Sequence, residues 1–126
     1  MGLRWSELVI DCVDPAPVAA FWAAALGLPP PEADADGDYE LAPPGGGPVL
    51  LFQHVPEPKT VKDRLHIDLS PTGGASEQQA EVERLLALGA ARVDIGQGQP
   101  SWVVLADPEG NEFCVLRGDD PAGQPG

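Results

Sequence analysis

The strongest constraint on the fold of this chain is an internal repeat. Residues 39–52 match residues 103–116 at a constant offset of 64 positions, through a shared Leu-Ala-x-Pro-x-Gly core. Upstream, two helix-like stretches that end at Gly27 and Gly89 lie 62 positions apart. A repeat of this length indicates one supersecondary unit used twice. We therefore expect two modules with the same order of elements.

The modules are predicted over about residues 4–55 and 64–117, with a linker at about 55–63. Each begins with a strand, because apolar and polar residues alternate with a period of two at 6–12 and 65–70. A helix follows in each, from Asp14-Pro15 in the first and from Ser76 in the second, and each ends at a glycine. The remaining predicted strands are 37–42, 49–54, 92–95, 101–106 and 112–117, with a further short strand near Pro31.

Length and composition limit the classes of function. The 126 residues, 43% of them hydrophobic, suit a single domain over 1–117, and we expect the Gly- and Pro-rich tail at 118–126 to be disordered. A net charge of -13 argues against nucleic acid and anionic membranes as partners. With no leader-like or membrane-spanning stretch, and with Cys12 and Cys114 inside predicted strands, we expect a cytoplasmic protein with free thiols.

Four runs of residues resemble the glyoxalase-like branch of the vicinal oxygen chelate superfamily. The runs are DCVDP at 11–15, FWAAALGL at 21–28, KTVKDRLHIDL at 59–69 and WVVLADPEGNEFCV at 102–115. The resemblance implies an α+β fold, in which two βαβββ modules form mixed sheets that curl into a cup. It also implies a homodimer. Because this superfamily contains both metal-dependent enzymes and metal-free drug-binding proteins, the fold alone does not decide the chemistry.

The resemblance implies a site in the cup, built from the first and last strand of each module. The first-strand positions fall on Glu7 and His66, which are the candidate catalytic residues and metal ligands. The last-strand positions fall on Cys114 and, by the offset of 64, on Leu50. Leucine binds no metal, and a thiolate is not part of the oxygen-and-nitrogen donor set that Mg, Mn and Ni sites in this family use. We therefore expect an incomplete metal site. Of the two alternatives, a protein without a cofactor is favoured over one that binds a divalent cation.

Each candidate residue also has a structural interpretation. His66 is either a ligand or a hydrogen-bonded structural group, and Cys114 is first a buried structural thiol. Asp68 is either a general base or a partner for neighbouring strands. The cations at 59, 62 and 64 form either an anion-binding cluster or a solvated linker. The residues predicted to line the ligand-binding cleft are Leu50, Phe52, Trp102 and Cys114.

Two functions follow from these alternatives. The first is a binding protein that holds a small organic molecule in a cup-shaped cleft. The second is a metal-dependent enzyme of the lyase, isomerase or ring-cleaving dioxygenase type, in which Glu7 and His66 polarise a carbonyl or move a proton. The incomplete donor set favours the first.

Overall fold

The computed structural model describes residues 2–98 and 100–117, so the tail predicted to be disordered at 118–126 lies outside the described residues. The chain divides into two compact units, Met1–Pro58 and Lys59–Gly126. Within the described residues, each unit contains one mixed sheet and one α-helix, and in each sheet the first and last strand of the unit lie side by side. The α+β prediction is confirmed.

The first unit contains β1 (Glu7–Cys12), α1 (Pro15–Ala25), β2 (Tyr39–Leu41) and β3 (Val49–His54). In the order β1-β3-β2, β1 runs parallel to β3 and β2 runs antiparallel to it. The register pairs Leu8 with Leu50 and Ile10 with Phe52. Because side chains alternate between faces, these four residues share one face of the sheet, and Glu7 lies on the other.

Helix α1 begins where the sequence predicts. Pro15 occupies the first helical position, where its missing N–H breaks no hydrogen bond, and Gly27 follows the helix with a φ of 72°. The helix is apolar around most of its circumference, and it buries Val18, Phe21 and Trp22. It contacts all three strands of the sheet, so it covers the face that carries Leu50 and Phe52.

The short strand predicted near Pro31 is not formed, so the described part of the first unit is βαββ rather than βαβββ. Residues 29–31 are three consecutive prolines, which offer no N–H to a strand ladder. Downstream, the Asp34 carboxylate accepts hydrogen bonds from the backbone N–H groups of Asp36 and Asp38, which closes a turn instead of a strand.

The second unit contains β4 (Ile67–Leu69), a 3₁₀ turn (Ala75–Glu77), α2 (Gln78–Leu88), β5 (Ala91–Arg92), β6 (Val103–Ala106) and β7 (Glu112–Val115). Its sheet has the order β4-β7-β6-β5, in which β4 and β7 are parallel and the other pairs antiparallel. This is the complete βαβββ arrangement that the family resemblance implies. Ser76 lies inside the 3₁₀ turn, so it does not cap α2 as predicted.

The register of this sheet separates two faces. Phe113 pairs with both Ile67 and Leu105, so these three apolar residues lie on one face of the sheet. Helix α2 covers this face with its buried residues Val82 and Leu85. On the opposite face Cys114 pairs with Asp68 on one side and with Val104 on the other. That second face is the one available to build a site.

No helix within residues 2–98 and 100–117 combines the length and the apolar character needed to cross a membrane.

Candidate functional site

A cavity of about 180 Å³ lies in the second unit, on the sheet face opposite α2. Its walls combine three apolar side chains with a larger number of polar and ionisable ones. The lining residues are Lys62, Asp63, His66, Ile95, Gln97, Trp102, Val104, Glu112 and Cys114. Small-molecule sites combine apolar walls with polar groups that fix the orientation of the ligand, and this cavity offers both kinds of side chain.

Strands β6 and β7 supply the floor of this cavity through the alternation of their side chains. Val104 and Cys114 are register partners, and Glu112 lies two positions before Cys114 on the same face. His66 directly precedes β4 and therefore also points to this side, since Asp68 on β4 faces Cys114. Ile95 and Gln97 come from the loop that follows β5.

Three potential ligand groups meet at the edge of the cavity. His66 Nε2 lies 3.0 Å from Asp68 Oδ1, and the Cys114 thiol is hydrogen-bonded to Asp68. One donor atom from each of the three side chains lies within 4.8 Å of the other two. Cys114 is buried, whereas His66 and Asp68 are exposed. We call this group the His66–Asp68–Cys114 cluster.

Burial, followed by the negative charge of Asp68 and the hydrogen bond to it, raises the pKa of Cys114 to about 11. The Lys62 ammonium acts in the opposite direction but does not offset these effects. The thiol is therefore protonated at neutral pH, and it donates its hydrogen to the Asp68 carboxylate. In the absence of a further cation at the sulfur, it is a poor nucleophile.

A second network fixes the linker to β7. Lys59 Nζ lies 2.7 Å from Glu112 Oε2, Glu112 Oε1 accepts from the Asp63 N–H at 2.8 Å, and Asp63 Oδ2 accepts from the Glu112 N–H at 3.2 Å. Burial acts to raise the pKa of Glu112, but the hydrogen bonds from Lys59 and Asp63 lower it below its usual value. Burial and the Glu112 charge raise the pKa of Asp63. This network holds the segment that carries Lys62 against the cavity.

The structure brings three of the predicted site residues together, since His66, Trp102 and Cys114 line the same cavity. The other three lie in the first unit. Glu7 is exposed at the start of β1, on the face that α1 leaves open. Leu50 and Phe52 lie on the face that α1 covers, and Phe52 has 0% of its surface exposed. Neither offers surface to a ligand in this structure, because the register turns both toward the helix.

Sequence reasoning did not identify several lining residues. The alternation of side chains along the strands could have predicted Val104, since Val104 pairs with Cys114 on the same face of the sheet. Ile95 and Gln97 carry no such signal, because they lie in a loop whose conformation is set by local hydrogen bonds. There the Gln97 side chain accepts from the Ile95 N–H at 2.7 Å and donates to the Val93 carbonyl. Of the predicted cationic linker, Lys62 reaches the cavity, whereas Lys59 pairs with Glu112.

The donors present do not match the hard-cation set that the resemblance implies. The His66–Asp68–Cys114 cluster offers one imidazole, one carboxylate and one thiol, whereas Mg²⁺ and Mn²⁺ prefer oxygen ligands. Asp68, which contributes the carboxylate, lies on β4 itself, two positions after His66.

Comparison with known proteins gives one family. The sequence model of the family described as glyoxalase-like domain matches residues 7–116. No curated protein shows significant sequence similarity to the chain.

Three solved structures with the same fold are distant in sequence. A glyoxalase/bleomycin resistance protein from Albidiferax ferrireducens is 19% identical, with a TM-score of 0.62 over 88% of this chain and 95% of that one. A mutant of the fosfomycin resistance protein of Listeria monocytogenes, complexed with Mn(II) and 1S,2S-dihydroxypropylphosphonic acid, is 16% identical, with a TM-score of 0.69 over 94% and 93%. The oxidase ChaP-H1 is 20% identical, with a TM-score of 0.66 over 97% and 100%. These similarities establish the glyoxalase/bleomycin resistance fold.

Proposed function

Because the chain belongs to the family of glyoxalase-like domains, we propose that it binds a small organic molecule in the cavity of its second unit. The observation that carries this proposal is the cavity itself, in which Trp102, Ile95 and Val104 lie beside His66 and Lys62. The apolar side chains supply a surface for a planar group, and the polar ones orient it.

The size of the cavity limits the ligand. A volume of about 180 Å³ is close to that of engineered apolar cavities of about 150 Å³ that bind benzene. It is below the roughly 300–1,000 Å³ of sites for drug-sized molecules. The proposed ligand is therefore a molecule with a single ring or a short chain, or one such portion of a larger molecule.

A second candidate function is a metal-dependent enzyme of the lyase, isomerase or ring-cleaving type. The His66–Asp68–Cys114 cluster favours it, because three side chains of metal-ligating types converge beside the cavity. A bound cation would supply Lewis-acid polarisation of a carbonyl. His66, Asp68 and Cys114 would hold that cation at the cavity edge.

The binding proposal is tested by screening monocyclic aromatic acids, amides and alcohols by saturation-transfer NMR, with EDTA present. Dissociation constants of about 0.2 mM are expected for the better ligands, taking ten non-hydrogen atoms at roughly 0.5 kcal/mol each. The substitution Ile95→Trp places a larger side chain at the cavity wall and should weaken binding at least tenfold.

The matched control is Leu88→Trp. Leu88 and Ile95 are equally exposed, at 38% and 37%, but Leu88 lies on α2 and does not line the cavity. Binding should be unchanged in this variant. Ligands that bind equally well to wild type and Ile95→Trp would place the site elsewhere and contradict the proposal.

The state of the cysteines supports the cytoplasm as the proposed compartment. Cys12 and Cys114 are both buried, and neither forms a disulfide, as is usual for proteins kept in a reducing environment.

A further inference from the structure

We infer that the small molecule bound in the cavity of the second unit carries a carboxylate group, and that Lys62 is the residue that selects this group. The inference rests on the proposed function, because it concerns what that cavity accepts. Its basis is a difference between Lys62 and most other polar side chains of the lining. Their polar atoms are engaged within the protein, whereas most of the donor capacity of Lys62 is unused.

The two acidic side chains that line the cavity are held by protein donors. Both oxygens of Glu112 accept a hydrogen bond, Oε2 from Lys59 Nζ at 2.7 Å and Oε1 from the Asp63 N–H at 2.8 Å. Asp63 Oδ2 accepts in turn from the Glu112 N–H at 3.2 Å. Because the ion pair with Lys59 offsets the charge of Glu112, these carboxylates repel an anionic ligand less than two isolated charges would.

The uncharged polar groups of the lining are engaged as well. The Gln97 side chain accepts from one backbone N–H of its own loop and donates to a backbone carbonyl of the same loop. The Cys114 thiol is hydrogen-bonded to Asp68, and His66 Nε2 lies 3.0 Å from the same carboxylate. The donors of Gln97 and Cys114 are thus directed at protein acceptors rather than at the cavity.

Lys62 differs from these residues. Its Nζ donates to the Asp63 carbonyl oxygen at 3.1 Å, which uses one of its three N–H groups. Within residues 2–98 and 100–117 it forms no ion pair. Its charge is nevertheless felt on the cavity floor, where it acts to lower the pKa of Cys114. A carboxylate in the cavity would accept from the remaining N–H groups and supply the missing counter-charge.

Trp102 provides the complementary contacts. Its ring offers a face for a planar group, and its indole N–H donates to no acceptor in the described part of the chain. The unused groups of Lys62 and Trp102 are therefore donors. A carboxylate consists of acceptors alone, whereas an ammonium group brings only further donors. The lining thus favours an aromatic or short-chain acid over an amine of the same size.

The test compares benzoate, benzamide and benzylamine, which share a ring and differ mainly in charge, by titration of the ¹⁵N-labelled full chain at neutral pH with EDTA present. Benzoate should bind about fivefold more tightly than benzamide, as for a partly exposed ion pair. Benzylamine should bind more weakly than either. Raising the ionic strength should weaken the binding of benzoate but not that of benzamide, because salt screens only the charged ligand.

The decisive variant is Lys62→Gln, which should remove the preference for benzoate and leave the affinity for benzamide unchanged. Arg64→Gln is the matched control, since it removes one positive charge from the same segment at an exposed residue that does not line the cavity. It should retain the preference. Lys62 is also exposed, so both variants should show the far-ultraviolet circular dichroism of wild type.

Two results would overturn the inference: benzamide or benzylamine binding wild type as tightly as benzoate, or an equal loss of the preference in Lys62→Gln and Arg64→Gln. In either case shift changes at the cavity residues would still support the proposed function, so the two failures are distinguishable. If none of the three compounds shifted those residues, the proposed function would be contradicted and this inference with it.

Discussion

The side chain of Cys114 shows how one environment decides the chemistry of a residue. Its neighbours include a carboxylate, Asp68, and an ammonium, Lys62. Burial and the carboxylate both favour the neutral thiol, and the ammonium is too weakly coupled to reverse this. A cysteine of this kind is a hydrogen-bond donor at neutral pH, and it becomes a strong ligand only when a cation replaces its proton.

This environment predicts a slow reaction of Cys114 with alkylating reagents. In a metal-free Cys12→Ala background, the rate of reaction with iodoacetamide should rise with pH along a curve whose midpoint is about 11, because only the thiolate reacts. Asp68→Asn removes the negative charge and should lower that midpoint. A midpoint near 8.5, the value of an unperturbed thiol, would contradict the described environment.

The pKa of Glu112 is shifted in the opposite direction from that of Cys114, and the shift predicts how stability depends on pH. Its pKa is lowered in the folded chain, so ionised Glu112 stabilises the fold above its unfolded-state pKa, and this contribution disappears as the pH falls through the lowered folded-state value. Glu112→Gln should reduce the free energy of unfolding by about 1–3 kcal/mol at pH 7, as for a hydrogen bond to a charged partner.

The measurement is urea denaturation at pH 7 and below pH 4.5. The difference between Glu112→Gln and wild type should shrink at the lower pH, since protonation removes the same charge. Glu57→Gln, at an exposed glutamate of the first unit, should have little effect at either pH. A difference for Glu112→Gln that stays constant with pH would show that the Lys59 pair does not stabilise the fold.

Among the secondary-structure elements, those fixed by local patterns were predicted well. Strand β3 has the predicted bounds, and α1 begins at the predicted Pro15, because hydrophobic alternation and Asp-Pro dipeptides act within a few residues. The predicted strand at 92–95 shortens to Ala91–Arg92. There the Asp94 carboxylate accepts from the Gly96 N–H and Gln97 accepts from Ile95, so side chains compete with the strand ladder.

The end of α2 offers a test at this scale. Gly89 has a φ of 120°, and an added methyl group there would meet only Pro108 Cγ at 3.9 Å. Gly89→Ala should therefore destabilise the fold by about 1–2 kcal/mol through backbone strain rather than through a clash. Gly2→Ala, at a glycine with open space around it and no positive φ, is the matched control. Equal unfolding midpoints in urea would contradict this conformation of the helix end.

For the molecule as a whole, the internal repeat predicted the two units. The units are not exactly equivalent, however. The hairpin pairs Leu41 with Leu50 in the first unit but Leu105 with Phe113 in the second, so the offset between the units falls from 64 to 63 across the turn. A constant offset of 64 therefore placed Leu50 opposite Cys114, although the two residues face different sides of their sheets. His66 and Cys114 were proposed from the family resemblance rather than from this offset, and together with Trp102 they line the cavity of the second unit. Their roles in binding remain predictions.

Oligomeric state is the second prediction for the whole molecule. Trp5, just before the edge strand β1, is 73% exposed, and Leu65, just before the edge strand β4, is 80% exposed. Apolar residues beside open strand edges suit the homodimer that the family resemblance implies. Sedimentation equilibrium should give about twice the chain mass of 13.2 kDa, and Trp5→Glu combined with Leu65→Glu should reduce it. A monomer at all concentrations would contradict this expectation.

The most direct test of the central claim maps bound ligand onto the chain. A ¹⁵N-labelled sample titrated with the best ligand from the aromatic screen should show chemical-shift changes concentrated at residues 62–66, 95–97, 102–104 and 112–114. The same titration of Ile95→Trp should show these changes weakened at least tenfold. Shifts concentrated in residues 2–58, or spread evenly over both units, would show that the cavity of the second unit is not the binding site.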